Sequence, residues 1–306
     1  MFFIKNQVSV LENGVAKIKD KNKLKPFDAP VYSYWSALYM SFYSKRLYID
    51  VGKRWRGIGL LYLLLAIAIG AIPYSLKMSG EFNSEFHNQL IAPILSLPTI
   101  YIQNGALNFD KPMPYLIKND KGLVSVIIDS TGTISEFTKE YPYLTLLINK
   151  NTMSIKIPSP SIMAVGTDQT IRGPVIVQPF DKGMNMMFDG KSIINSSSIY
   201  GLKYAAQLMI YPVVVAIFYS LLVVFFLVLA FLGQVFSRIF FSFKLKFSQS
   251  CRLFMVSSTP MLLVMMIFIT LNAIFYGFGF ILLALIGVYF SFAVRSLRSD
   301  SKKMVS

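Results

Sequence analysis

The sequence predicts an α-helical polytopic membrane protein: four transmembrane helices, with an α+β domain inserted between the first and second on the extracytoplasmic side. Three observations carry this prediction. The chain is 54 % apolar and only 15 % charged over 306 residues, whereas soluble domains carry about a quarter charged residues. Three long windows contain no Asp, Glu, Lys or Arg, and the basic residues gather in the segments around them. A disordered chain would be polar and self-repelling, so that class is excluded.

The windows are 57–76, 204–237 and 253–294. A bilayer core about 30 Å thick needs roughly 20 apolar helical residues. The first window therefore reads as span one, 57–76, and the second as a long tilted span, 206–232, with Pro212 near its start. The third has room for two spans, 254–272 and 277–294. The break falls between Asn272 and Gly279, where Gly277 and Gly279 interrupt the helix. Met1-Phe2-Phe3-Ile4-Lys5 does not open a cleavable signal peptide, so span one is expected to be the insertion signal.

Charge sets the expected orientation. Residues 1–56 carry eleven Lys/Arg against four Asp/Glu, residues 77–203 eleven against ten, 238–252 four against none, and 295–303 four against one. Basic segments stay in the cytoplasm. Both termini, a 233–253 basic loop and a 295–306 basic tail are thus expected inside a bacterial inner membrane, and 77–203 outside. The net charge of +15 suits anionic lipid headgroups, and nucleic acid is not needed to explain it.

The 77–203 segment has the size of a domain. Residues 98–108 and 122–128 carry short β-branched or aromatic runs bounded by turn residues, and 174–178 is a further short strand. Residues 144–157 read as a hairpin around Asn149-Lys150-Asn151. Helices are expected at 81–97, leaving the membrane, and at 192–206, returning to it. The segment has no cysteine, so its core rather than disulfides must hold it.

On the inner side, residues 30–56 read as one amphipathic helix. Val31, Trp35, Leu38 and Phe42 recur at helical spacing among Tyr32, Tyr34, Tyr39 and Tyr43. The helix either lies in the interface or packs on the cytoplasmic ends of the spans. Trp35, Tyr39, Phe42, Tyr43, Lys45, Arg46, Arg54, Trp55 and Arg56 are the candidate interface anchors. Residues 1–29 form a basic arm with lysines at 17, 19, 21, 23 and 25. It carries a possible hairpin, 7–11 and 15–18, around Asn13-Gly14.

Several separated motifs resemble a bacterial membrane-protein family catalogued as domain of unknown function 1189. They are Ser41-Phe42-Tyr43-Ser44, Leu47-Tyr48, Arg54-Trp55-Arg56-Gly57-Ile58-Gly59 and Leu61-Tyr62-Leu63. Further along come Asn104-Gly105, Pro112 to Ile117, Ile127-Ile128-Asp129-Ser130-Thr131-Gly132, and Cys251-Arg252-Leu253 leading to Ser258-Thr259-Pro260. The resemblance covers roughly residues 30–295 and leaves 1–29 outside. It implies several spans with an outer domain, and it brings no catalytic residues. Some Gram-positive relatives carry the label "maltodextrin utilisation protein", which implies an accessory role.

No catalytic constellation, cofactor site or metal site is expected. Asp129-Ser130-Thr131-Gly132-Thr133 is one residue from the Asp-Lys-Thr-Gly-Thr of P-type ATPases. The lysine is missing, however, and the expected topology puts Asp129 away from ATP. An Asp followed by Ser, Thr and Gly after a Val-Ile-Ile strand reads as a turn. His87 reads as a solvated histidine, and one histidine with one cysteine make no zinc ligand set. The spans carry no charge for an ion or proton relay. Gly57, Gly59, Gly70 and Pro260 are instead candidate helix-packing residues. The expected function is a non-enzymatic accessory, assembly or scaffolding factor whose outer domain binds a membrane or periplasmic protein, with a second copy of the chain as another possible partner. The alternative is an accessory subunit or small carrier in solute transport, with sugars or maltodextrin among the candidate solutes.

Overall fold

The computed structural model describes residues 29–158 and 173–303; the expected hairpin and lysine-rich arm lie outside them. The helices are α1 (Tyr34–Met40), α2 (Lys45–Lys53), α3 (Leu60–Gly70), α4 (Ile72–Phe86), a π turn (His87–Ile91), α5 (Ala92–Leu95), α6 (Gly190–Ser196), α7 (Ile199–Phe241), α8 (Phe247–Ser257), α9 (Thr259–Thr270) and α10 (Phe278–Lys303). The strands are β1 (Ile100–Gln103), β2 (Ala106–Asn108), β3 (Tyr115–Lys118), β4 (Val124–Asp129), β5 (Leu146–Asn149), β6 (Thr152–Lys156), β7 (Val175–Pro179) and β8 (Met186–Phe188). The described residues divide into two compact units, one of residues 29–66, 221–265 and 275–303, the other of residues 67–158, 173–220 and 266–274.

α7 and α10 are long and apolar enough to cross a membrane. Two bent pairs meet the same criterion together: α3 with the helical stretch 72–95, at 47°, and α8 with α9, at 43°. The chain thus has two candidate spans, or up to four if each pair counts as one. Proline explains both bends. Pro73 and Pro260 each stand second in their helix, where the ring has no N–H and collides with the carbonyl four residues back. Around Pro260 the hydroxyls of Ser257, Ser258 and Thr259 donate to the carbonyls of Phe254, Met255 and Val256 at 3.2, 2.8 and 3.0 Å. The Val256 carbonyl is the one Pro260 deprives of its backbone donor.

In the first unit, residues 30–56 are two helices and not the single one expected. Ser33 accepts from the Ser36 N–H and Ser44 from the Leu47 N–H, so each serine starts a helix afresh. α2 buries Leu47, Tyr48 and Val51 against α8 and α10, which also pack on each other. Phe254 and Phe290 stack at 3.8 Å, and Tyr48 meets Phe292 edge-on at 5.7 Å.

The basic residues of 233–253 do not mark a loop of that length. α7 runs to Phe241 and α8 begins at Phe247; Arg238 and Arg252 lie inside these helices, where arginine is a good helix former, and Lys244 and Lys246 fall in the link. The short link between them is held by Ser237 Oγ donating to the Phe243 carbonyl at 2.8 Å and Gln234 Nε2 to that of Leu245 at 2.9 Å. The basic tail likewise continues α10 to Lys303.

The second unit holds two sheets. β2-β1-β8 is antiparallel throughout, and β3-β4-β5-β6-β7 contains one parallel pair, β4 with β5. That pair is buried along nearly its whole length, as parallel strands usually are. The expected 144–157 hairpin is β5–β6, with Leu146 opposite Ile155 and Ile148 opposite Met153. The expected 81–97 helix is interrupted by the π turn. There the Gln89 carbonyl accepts from Ser125 Oγ at 2.7 Å and Thr145 Oγ1 at 2.9 Å, so two buried hydroxyls satisfy a carbonyl in the irregular turn. The expected 192–206 helix is two: α6 is capped at its start by Asp189 accepting from Ser192 at 2.8 Å and ends where Ser197 turns extended (φ −91°, ψ 152°), and α7 begins at Ile199.

Candidate functional site

The site is built around Asp50 on α2, a carboxylate only 3 % exposed. Burying such a group unpaired is costly, so its partners must come with the fold. Both oxygens accept from the Val31 N–H at 3.1 Å, and Oδ2 also accepts from the Tyr32 N–H at 3.1 Å and the Trp55 indole at 3.2 Å. Arg54, one helical turn on, pairs with Oδ1 at 3.4 Å. Asp50 therefore staples the incoming 30–32 segment to α2 and orients Trp55.

Arg252 on α8 is 8 % exposed and closes the other side of the same turn. It donates to the carbonyls of Trp55, Gly52 and, at 3.5 Å, Gly57. Gln249 Nε2 adds a bond to the Gly52 carbonyl at 3.1 Å. The Gly52 carbonyl is one that a finished helix leaves without an intrahelical donor, and those of Trp55 and Gly57 lie in the link beyond the Arg54 cap. The link to α3 turns through Gly57 at φ +74° and Gly59 at φ +89°, a backbone region that glycine enters without a Cβ penalty.

Trp55 packs on Tyr34 at 4.8 Å and on Tyr62 at 5.7 Å, and Tyr62 shares a 2.6 Å hydroxyl bond with Thr259. Beside this aromatic group opens a cleft of about 510 Å³ lined by Pro30, Val31, Tyr32, Ser33, Tyr34, Trp55 and Arg56. Arg56 is exposed there and makes no ion pair among the described residues.

The structure divides the candidate anchors. Trp35, Tyr39, Phe42, Tyr43, Lys45 and Arg46 are exposed. Trp55 is only 3 % exposed, because its indole must reach Asp50, and so it is a wall of the cleft rather than a surface anchor. Arg54 is drawn to Asp50, and Arg56 stays outside. Of the candidate packing residues, Gly59 lies within 3.2–3.5 Å of Met255 and Arg252 as a Cβ would measure it, and Gly70 meets Met266 at 3.4 Å. A Cβ on Gly57 would meet nothing, so that glycine serves the turn, and Pro260 serves the bend. Asp50, Gln249 and Arg252 escaped the sequence reading. Nothing marked Asp50 among the four acids of residues 1–56, and for Arg252 the available signal was an arginine abutting a charge-free window.

In the second unit Asp129 ends β4 and folds the turn after it. Its oxygens accept from the Thr131 N–H at 2.8 Å, the Thr131 hydroxyl at 2.5 Å and the Ile134 N–H at 2.7 Å. Burial alone would raise its pKa, but these hydrogen bonds outweigh burial and hold it below the ordinary carboxylate value. Such a carboxylate is a turn cap and is already committed. His87 is exposed in the π turn. Among the described residues no group of three His, Cys, Asp or Glu could hold a metal ion.

The family described as "Protein of unknown function (DUF1189)" matches residues 35–294, most of the chain. No curated protein and no solved structure matches it.

Proposed function

The chain belongs to the DUF1189 family, and from that premise we propose a non-enzymatic integral protein of the bacterial cytoplasmic membrane whose outer region recruits a protein partner. In this reading α3 with α4, α7, α8 with α9, and α10 are four spans, both termini are cytoplasmic, and 77–203 lies outside. Apolar side chains left exposed along the helices, such as Leu208, Val224, Phe231, Phe280 and Val288, support lipid contact. α7 also supports it, since 43 residues make a helix of roughly 64 Å, about twice the hydrocarbon thickness.

The observation that carries the docking role is β7. Among the described residues it forms one edge of the five-stranded sheet, all five of its residues are exposed, and Val175, Ile176 and Val177 give it an apolar surface with Val177 at 58 %. An uncharged edge strand presents unpaired N–H and C=O groups to any extended segment. Strand addition is a common way to recruit one. An outer module of this kind on a membrane anchor supports an accessory or assembly role.

A photo-crosslinking residue placed at Val177 in the native membrane tests this. A discrete adduct should form there and be absent from the same residue placed at Lys121, an exposed turn position. An adduct of twice the chain's mass would make the partner a second copy. Equal and diffuse labelling at both positions, with a monodisperse monomer in mild detergent, would overturn the proposal.

A further inference from the structure

We propose that the cleft beside Asp50 binds the phosphate of an anionic lipid headgroup. The inference rests on the membrane placement proposed above and is independent of the docking role of β7.

Its volume, about 510 Å³, falls in the range of small-molecule sites, roughly 300–1,000 Å³, and admits a glycerophosphate group. Arg56 stands at its edge with no ion pair among the described residues, and a guanidinium offers phosphate two parallel donors. The phenolic hydroxyls of Tyr32 and Tyr34, in the same lining, are further donors with no hydrogen-bond partner among the described residues. Asp50, behind this wall, would repel an anion were it not answered by two backbone N–H groups, the Trp55 indole and Arg54. With Arg54 paired to it and Arg252 held on the Trp55 carbonyl, the local balance is cationic.

Three aromatic rings alone would also suit a quaternary ammonium, but Arg56 opposes one, so the geometry selects the phosphate over the choline. Depth favours a lipid source. Trp35, 65 % exposed, with Tyr39 and Tyr43, and the exposed Lys45 and Arg46, have the composition of a membrane–water boundary. The cleft opens among these helices.

The chain has two tryptophans, Trp35 and Trp55, so Trp35→Phe leaves the cleft's own ring as the reporter. The full chain carrying that change would be reconstituted in phosphatidylcholine vesicles with rising phosphatidylglycerol. A second arm adds inorganic phosphate to vesicles of phosphatidylcholine alone. Trp55 emission should change saturably with phosphatidylglycerol. Arg56→Gln should move the midpoint at least about tenfold, Arg56→Lys should fall between, and Lys121→Gln should not move it.

Saturation by inorganic phosphate alone would uphold the phosphate chemistry and assign it to a soluble source. No saturable change in either arm, or a parent-like midpoint in Arg56→Gln, would overturn the proposal. Should Arg56→Gln fail to reconstitute, Tyr34→Phe and Arg56→Lys carry the comparison, and parent-like midpoints in both would overturn it.

Discussion

Asp50 and Asp129 show how differently a carboxylate can be used in one chain. Asp129 is answered within five residues of itself, so it shapes one turn and little else. Asp50 is answered from 18 and 19 residues upstream, and its loss would leave the Val31 and Tyr32 N–H groups and the Trp55 indole without acceptors. A buried orphan such as the Trp55 indole costs about 1–3 kcal/mol, and the part-buried Val31 and Tyr32 N–H groups cost less because water reaches them. Asp50→Ala should therefore destabilise the first unit by about 2 kcal/mol. Hydrogen exchange should show lost protection at Val31, Tyr32 and α2, while β4 and β5 exchange as before; unchanged protection at Val31 and Tyr32 would contradict the staple. Asp50→Asn, which keeps an acceptor, should fall between. The sequence made Asp129 legible as a turn because its donors are local. Asp50 was not legible, since nothing in a run of eleven basic and four acidic residues says which acid the fold will bury.

Among elements, α7 offers two glycines with opposite demands. A Cβ on Gly233 would drive into the Phe254 ring and lie 2.9 Å from Phe290, and these two rings already stack at 3.8 Å. Gly233→Ala should cost about 1–3 kcal/mol through overpacking. Gly201 has open space around it, so Gly201→Ala should stabilise the helix by up to about 1 kcal/mol. Unfolding in mixed detergent micelles of rising SDS content would read both, and similar midpoints for the two variants would refute the packing argument. Helix ends were less legible than helices. Apolar runs marked the existence of α3, α7, α9 and α10, but the Ser33 and Ser44 caps, the Pro73 and Pro260 bends and the π turn at His87–Ile91 depend on single residues. Their effect is decided by which helix-end N–H groups find an acceptor and which carbonyls find a second donor.

For the whole molecule, the threading proposed from charge is directly testable. Asn151 is exposed in the β5–β6 turn, and the sole cysteine, Cys251, is buried. Asn151→Cys should react with a membrane-impermeant maleimide on intact cells; reaction only after lysis would invert the orientation. Hydropathy and charge balance are sums over neighbouring residues, so the apolar runs, the α+β character of 77–203 and the asymmetry behind the orientation follow from the sequence alone. The cleft does not. Arg252 reaches the Trp55 carbonyl across 197 residues, and Trp55 turns inward only because Asp50 accepts its indole. Such pairings exist only once distant helices have packed, which is why tertiary structure decided that an arginine–tryptophan–arginine run would give one residue to the interior and leave its outer arginine facing a cavity.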